Sequence, residues 1–312
     1  MSTPAIKLDG LTKDYAVGFW RPRPYRALDQ VSLEVASGEV LGYLGPNGAG
    51  KTTTLKLLMQ LIYPTAGTAE ILGRPAGDVG ARRRLGYLPE LPYFYDNLSA
   101  EELLVYFGGL FSLSAADARR RAATLLDRVG LGAARHQRLR RYSKGMLQRV
   151  GIAQALINDP EVVFFDEPMS GLDPVGRRDT RELIRQLGAE GRTVFFSSHI
   201  LSDAEALCSR VAIMAQGKLI ATGRIADLAF EVLGWELVVS GGSLDGMRAL
   251  GLDEATREVD GRLVIELTID QPPERVLPEL ARQGAQVVAL TPRHESLEDY
   301  FMRVVSQPGD AD

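Results

Sequence analysis

The sequence predicts an α/β protein in which a layered domain over residues 5–230 precedes a smaller α+β module over residues 231–306. Up to about residue 230, short apolar segments alternate with helical segments, which is typical of helices packed on a partly parallel sheet. Beyond residue 231 the predicted order becomes βαββαβ, the order of a ferredoxin-like module. The 312 residues, 45% hydrophobic and 24% charged, suffice for one large and one small domain.

The strands of the first domain are predicted from short runs of β-branched and aromatic residues, as in strands buried on both faces of a sheet. These runs cover residues 6–8, 31–35, 40–44, 162–165, 193–197 and 211–214. Helical periodicity predicts helices over 51–61, 100–110, 114–129, 144–157 and 175–189. The helices at about 90–160 are predicted to form a helical subdomain inserted into the main sheet.

This helical stretch is rich in arginine. A solvated helix face explains such residues, and contact with anionic lipid headgroups is the alternative. The arginines are Arg119, Arg120, Arg121, Arg135, Arg138, Arg140 and Arg141.

The second module is predicted to contain strands over 235–240, 256–259, 263–269 and 286–290, with helices over 243–250, 274–283 and 296–305. Asp260-Gly261 is a hairpin turn signal between the second and third strands. No catalytic group of residues is evident here, so the module is interpreted as an accessory domain for dimerisation or regulation. Residues 307–312 are predicted to be a disordered tail.

Composition excludes several classes of protein. The net charge of −4 gives no electrostatic reason to expect a nucleic-acid partner, and a single cysteine forms neither an intramolecular disulfide nor a zinc cluster. The first residues lack the apolar core of a signal peptide. The apolar runs are shorter than the roughly 20 residues that a membrane helix needs.

The strongest functional motif is a glycine-rich loop between a predicted strand and a predicted helix. Residues 45–53 read GPNGAGKTT and fit the G-x-x-x-x-G-K-[ST] pattern. The glycines let backbone N–H groups face phosphates, and the helix start adds positive potential. Lys51 is expected to reach the β- and γ-phosphates, and the Thr52 hydroxyl to hold Mg²⁺. The expected nucleotide-binding residues are Gly45, Pro46, Asn47, Gly48, Ala49, Gly50, Lys51, Thr52 and Thr53.

A second motif places two carboxylates at the end of the strand predicted over 162–165. Asp166 is expected to bind Mg²⁺, directly or through water. Glu167 is then placed to act as the general base that polarises the attacking water.

A third motif, YSKGMLQR over residues 142–149, opens a predicted helix just before that strand. Ser143 is a candidate N-cap, and free N–H groups at a helix start also form an anion site. The motif is similar to the signature sequence of ATP-binding-cassette (ABC) proteins, whose usual form is LSGGQ.

With these motifs in one order over residues 5 to about 230, the chain resembles an ABC transporter ATP-binding subunit, specifically of the bacterial drug, sodium, copper and gliding-type export subfamily. The resemblance implies a P-loop NTPase cassette with a mixed sheet core. It also implies a head-to-tail dimer in which ATP lies between the phosphate loop of one subunit and Ser143, Lys144 and Gly145 of the other.

The family pattern implies further roles. Ser198-His199 matches the switch histidine, which makes His199 a second catalytic residue. Tyr15 resembles the aromatic residue that stacks on adenine, and Tyr25 is the competing candidate. The sequence SGLD matches the D-loop at the dimer interface. The D-loop residues are Ser170, Gly171, Leu172 and Asp173.

The chain also departs from the family pattern. Glu90 replaces the glutamine that contacts Mg²⁺, and a carboxylate is still able to ligate the ion. Lys144 stands for the first signature glycine and Met146 for the glutamine, so a positive charge is added near the phosphates. The segment over residues 17–26 is longer than the family needs and is interpreted as a surface excursion or a partner contact.

The sequence therefore predicts an ATPase subunit, with ATP and Mg²⁺ as cofactors, that powers an exporter by dimer closure and opening. Its expected partners are a separately encoded membrane permease and a second ATP-binding subunit, identical or paralogous. Its expected place is the cytoplasmic face of the inner membrane, as a peripheral protein. The alternative is a soluble ABC ATPase acting on ribosomes or DNA, whose members usually carry two cassettes, coiled-coil arms or zinc modules. A catalytically inactive cassette is disfavoured by the presence of Lys51, Asp166, Glu167 and His199.

Overall fold

The structure is a computed structural model that describes residues 3–18, 23–228, 232–241, 247–248, 250–252, 255–295 and 297–306. The chain divides into two compact units, Met1–Asp227 and Leu228–Asp312. Within the described residues, no helix is both long and apolar enough to cross a bilayer. The predicted tail over 307–312, and parts of the segment 17–26 and of the predicted helix 243–250, lie outside the described residues.

The first unit alternates strands and helices. Its strands are β1 Ile6–Val17, β2 Arg23–Val35, β3 Val40–Leu44, β4 Ala66–Ile71, β5 Arg74–Pro75, β6 Leu85–Leu88, β7 Val162–Phe165, β8 Thr193–Ser198, β9 Arg210–Ala215 and β10 Lys218–Arg224. Its α-helices are α1 Lys51–Leu58, α2 Val79–Arg82, α3 Ala100–Leu110, α4 Ala115–Arg128, α5 Lys144–Ala155, α6 Pro174–Ala189 and α7 Leu201–Leu207.

The central sheet has six strands in the order β10-β9-β3-β8-β7-β6, and a second sheet has the order β2-β1-β4-β5. The pairs β3–β8, β3–β9, β7–β8 and β6–β7 are parallel, and only the edge strand β10 runs antiparallel to its neighbour. The fully buried aromatic side chains of this sheet include Phe164 and Phe195, whose ring centroids lie 5.8 Å apart. Burial on both faces explains the continuous apolar runs, and the predicted mixed α/β layering is confirmed.

Parallel pairing brings the carboxyl ends of β3, β8 and β7 to one edge of the sheet. The glycine-rich loop follows β3, Asp166 follows β7, and His199 follows β8. The phosphate loop, the carboxylates after β7 and the histidine after β8 therefore lie at the same edge of the sheet.

Several predicted boundaries are wrong. The strands predicted over 6–8 and 31–35 are the inner ends of longer strands, which pair from Ile6↔Val35 to Val17↔Arg23 through several register shifts. Their outer halves mix polar and apolar residues, so no continuous apolar run marks them. The predicted helix over 51–61 ends at Leu58, because Gln60 adopts a left-handed conformation with φ 53°. Neither β10, which alternates exposed and half-buried residues, nor the short helix α7 is signalled by an apolar run.

The second unit contains β11 Val232–Ser240, β12 Thr256–Val259, β13 Arg262–Thr268, α8 Pro273–Arg282, β14 Gln286–His294 and α9 Leu297–Ser306. Its antiparallel sheet has the order β12-β13-β11-β14, so the third strand lies between the first two, as in a split βαβ arrangement. The predicted hairpin turn is present, since Asp260 and Gly261 both have positive φ, 49° and 72°.

Candidate functional site

The glycine-rich loop is shaped by close backbone approaches. A Cβ on Gly45 would lie 2.5 Å from the carbonyl oxygen of Met214, and Gly50 turns into α1 with a φ of +104°. A side chain is excluded by contact at the first position and disfavoured by conformation at the second. The N-terminus of α1 therefore opens directly onto the loop, where backbone N–H groups form an anion site.

Lys51 is the first residue of α1, and its side chain is only 6% exposed. Its Nζ donates to the carbonyl oxygen of Gly45 at 2.7 Å and lies 3.2 Å from Oε1 of Glu167. The carbonyl and the carboxylate therefore compensate the positive charge of this buried ammonium at the mouth of the loop.

Asp166 follows β7 and is almost fully buried. Its Oδ1 accepts from Ser197 Oγ at 2.7 Å and from Thr52 Oγ1 at 3.3 Å, while its Oδ2 is buried without a hydrogen-bond partner. Burial raises the pKa of this carboxyl, an effect opposed by the two hydroxyl donors and reinforced by the charges of Glu90 and Glu167. An unpartnered buried carboxylate oxygen beside a threonine hydroxyl suits a hard divalent cation.

Glu167 has a left-handed backbone conformation, with a φ of 49° that is unusual for a residue other than glycine. Its N–H donates to Ser197 Oγ at 2.9 Å, and its Oε2 lies 2.8 Å from His199 Nδ1. The carboxylate is thus held between Lys51 and His199, and its side chain is 9% exposed. Strain held in place by hydrogen bonds at such a position is typical of functional sites.

Two contributors were not identified from the sequence. Ser197, near the end of β8, donates its hydroxyl to the Asp166 carboxylate and accepts from the backbone N–H of Glu167, and its only signal was its place two residues before His199. Gln148 of α5 is buried and donates from Nε2 to the carbonyl oxygen of Pro168 at 3.2 Å, which ties the signature helix to the segment after Glu167.

Lys51, Glu167 and His199 line one cleft of about 460 Å³. Tyr15 and Tyr25 are cross-strand partners on β1 and β2 and both line it, so the geometry favours neither as the base-stacking ring. Glu90 and Ser170 also face the cleft. Its lining residues are Tyr15, Tyr25, Ala27, Pro46, Asn47, Gly48, Ala49, Gly50, Lys51, Thr52, Thr53, Glu90, Glu167, Ser170 and His199.

The signature residues lie elsewhere: none of Ser143, Lys144 and Gly145 is among the described residues that line the cleft. Ser143 Oγ caps α5 by accepting from the N–H of Met146 at 3.2 Å, which confirms the predicted cap. Lys144 and Gly145 pack against the D-loop of the same chain. A Cβ on Gly171 would lie 2.3 Å from Lys144 Nζ, and one on Gly145 would lie 3.5 Å from Leu172 Cδ2. Asp173 ends the D-loop and caps α6 through the N–H of Gly176.

Comparison with known proteins gives close matches over nearly the whole chain. The family model described as ABC transporter matches residues 28–170. An uncharacterised ABC transporter ATP-binding protein of Synechocystis sp. is 45% identical over 303 residues, 96% of this chain and 84% of that protein. The Nod factor export ATP-binding protein I of Ralstonia nicotianae is 34% identical, covering 98% of this chain and 95% of that protein. The daunorubicin/doxorubicin resistance ATP-binding protein of Streptomyces peucetius is also 34% identical, covering 99% and 94%.

Solved structures agree with the fold. An ATP-binding cassette determined as a dimer in a post-hydrolysis state, bound to ADP and Pi, superposes with a TM-score of 0.65 at 26% identity, covering 70% of this chain and 98% of that one. The ATP-binding subunit of an ABC transporter superposes with a TM-score of 0.63 at 28% identity, covering 88% and 99%.

Proposed function

The chain belongs to the ABC transporter family as an ATP-binding and ATP-hydrolysing subunit, and from this we propose how its residues carry out the reaction. One observation carries the proposal: the carboxylate of Glu167 is fixed between Lys51 and His199 at the mouth of the phosphate loop. The nucleotide phosphates lie along residues 45–53, and the adenine stacks on Tyr15 or its cross-strand partner Tyr25.

In the proposed reaction, Glu167 accepts a proton from the water that attacks the γ-phosphorus, as the bond to the ADP oxygen breaks. His199 holds Glu167 through its Nδ1 contact of 2.8 Å and lies near the γ-phosphate. The ammonium of Lys51 moves from the loop carbonyls and Glu167 to the phosphate oxygens, where it balances developing negative charge.

The described residues fit a magnesium ion. Asp166 offers a buried Oδ2 without a partner, and Thr52 adds a hydroxyl beside it. We assign Thr52, Asp166 and Glu90 as the residues that hold the ion with the nucleotide, Glu90 from the cleft wall. The ion would supply neutralising charge on the phosphate oxygens.

A second subunit completes the proposed site. Ser143, Lys144 and Gly145 form a capped helix start away from their own cleft, so they are available to the nucleotide of a partner. The D-loop packs beside them and lies at the same proposed interface. Because one chain carries both Glu167 and the signature, a homodimer is sufficient for two complete sites, and a paralogue is the alternative partner.

The membrane-spanning partner is proposed to be a separate permease, which the chain contacts as a peripheral protein at the cytoplasmic face of the inner membrane. Exposed apolar side chains after Glu90 and on α3 support such a contact, since large apolar patches mark interaction surfaces. Tyr95 and Tyr106 pack edge to face with centroids 6.4 Å apart. The exposed residues include Leu91, Tyr93, Tyr95, Tyr106 and Leu110. Transport outward is proposed from the names of the relatives in Nod factor export and drug resistance.

The assignment of Lys51 is tested by phosphate release from Mg-ATP. Lys51→Ala should lower kcat by about a hundredfold or more, because it removes a fixed charge from the transferring phosphoryl group. Lys56→Ala, an exposed lysine on the same helix, is the matched control and should leave the rate unchanged. Equal rates for Lys51→Ala and the unmutated protein would remove this residue from the proposed mechanism.

A further inference from the structure

A buried carboxylate outside the sequence motifs lies close to the site. Asp203 is in the first turn of α7, and its side chain is 3% exposed. Its Oδ2 lies 3.4 Å from Arg177 Nη2, and its Oδ1 lies 3.7 Å from Arg181 Nη1. Both arginines are on α6 and about one third exposed, so the buried end of each ion pair is the carboxylate.

These ion pairs join the two helices that follow the functional loops. Helix α6 begins directly after the D-loop, and α7 begins two residues after His199. The segment from His199 to Asp203 is therefore anchored at one end by the contact with Glu167 and at the other by α6. Burial raises the pKa of the Asp203 carboxyl, an effect that the charges of Arg177 and Arg181 oppose and that of Glu167 reinforces.

Helix α6 also contacts α7 through Arg185, whose Nη2 donates to the carbonyl oxygen of Ala206 at 3.2 Å. The guanidinium of Arg177, however, depends on Asp203. The Nε of Arg177 is buried without a hydrogen-bond partner, and among the described contacts its Nη2 donates to Asp203. Removing the carboxylate would leave a partly buried guanidinium without its counter-charge, which is costly enough to shift a helix end. Because α7 begins two residues after His199, a shift of α7 would also displace His199.

We propose that Asp203 is a positioning residue for ATP hydrolysis: through Arg177 and Arg181 it fixes α7 against α6 and so keeps His199 in contact with Glu167. The proposal rests on the function proposed above, in which Glu167 is the base and His199 holds it. The competing explanation is an ion pair that stabilises the cassette without acting on His199.

A double-mutant cycle in the full-length protein separates the two explanations. Asp203→Asn should lower kcat about tenfold and change KM for ATP by less than about twofold, because nucleotide contacts are untouched. In a His199→Ala background, the same substitution should lower kcat by less than about twofold, because the contact of His199 with Glu167 has already been removed. Single-turnover measurements of ATP hydrolysis extend the range of measurable rates to the slower variants.

Two further variants serve as an intermediate case and as a control. Arg181→Gln removes one ion pair and leaves Arg177 beside Asp203, so it should fold and show a smaller loss of kcat with the same lack of additivity. Glu39→Gln breaks a half-buried ion pair with Arg210, whose two residues lie outside α6 and α7, and should leave kcat unchanged.

Fully additive losses of kcat for Asp203 and His199, or an unchanged kcat in Asp203→Asn, would overturn the proposal. The two failures are distinguishable: full activity in His199→Ala would refute the assignment of His199 itself, whereas impaired but additive variants would refute only the role of Asp203.

Discussion

At the scale of single residues, one hydroxyl holds two neighbouring acidic residues, one through its carboxylate and the other through its backbone. Ser197 donates to Asp166 and accepts from the N–H of Glu167, so it fixes the proposed metal ligand and the proposed base together. The sequence predicted both carboxylates because each ends an apolar strand. It did not reveal Ser197, because a serine at a strand end is common and only the pairing of β7 with β8 brings it to them.

Substitution of Ser197 should therefore lower kcat more than the loss of a side-chain hydrogen bond elsewhere on β8. Ser197→Ala removes two buried hydrogen bonds and is expected to lower the unfolding free energy by about 1–3 kcal/mol and kcat by about tenfold or more. Thr193→Val is the control, since Thr193 lies at the other end of β8 and accepts from the N–H of Gly38. It should lose similar stability, measured by denaturant titration, with kcat retained. An equal loss of kcat in both variants would contradict the specific role of Ser197.

At the scale of elements, apolar runs identified the buried strands β3, β7 and β8, and caps marked helix starts such as Ser143. Elements without these signals were missed. The short strand β6 has only four residues and is fixed by its neighbours: a Cβ on Gly86 would lie 2.1 Å from the carbonyl oxygen of Ala155, at the end of α5. The close packing of β6 against α5 is a tertiary requirement that local sequence does not display.

Two glycine substitutions test this contact between elements. Gly86→Ala should lower the unfolding free energy by about 1–3 kcal/mol, because the added methyl group meets a backbone carbonyl that has no rotamer to change. Gly109→Ala on α3 places its methyl group in open space and should raise stability by up to about 1 kcal/mol through helix propensity. Thermal unfolding of both variants gives the comparison. A Gly86→Ala protein as stable as the parent would show that α5 and β6 are less closely packed than described.

At the scale of the whole molecule, the sequence predicted an ATPase cassette followed by a small α+β module, and the fold and family are confirmed. The proposed site is divided between two chains. Lys51, Asp166, Glu167 and His199 converge because parallel strands end together, whereas Ser143, Lys144 and Gly145 do not line that cleft. The order of motifs along one chain gives no distance between them, and only the resemblance to the ABC family implied that the signature serves the site of another subunit. Its absence from the cleft agrees with the proposal of a second subunit.

In the proposed mechanism, Glu167 is the base and ATP joins two chains through this composite site. The most direct measurement is the mass in solution of the Glu167→Gln protein and of the unmutated 34.1 kDa chain, with and without Mg-ATP, alongside phosphate release. Glu167→Gln keeps the shape of the side chain but loses the proton acceptor, so the account predicts a stable dimer only in this variant with ATP, and no phosphate release. Adding Lys51→Ala should abolish that dimer, because the nucleotide is no longer held. A Glu167→Gln protein that stays monomeric with ATP and still releases phosphate would contradict both the assigned base and the composite site.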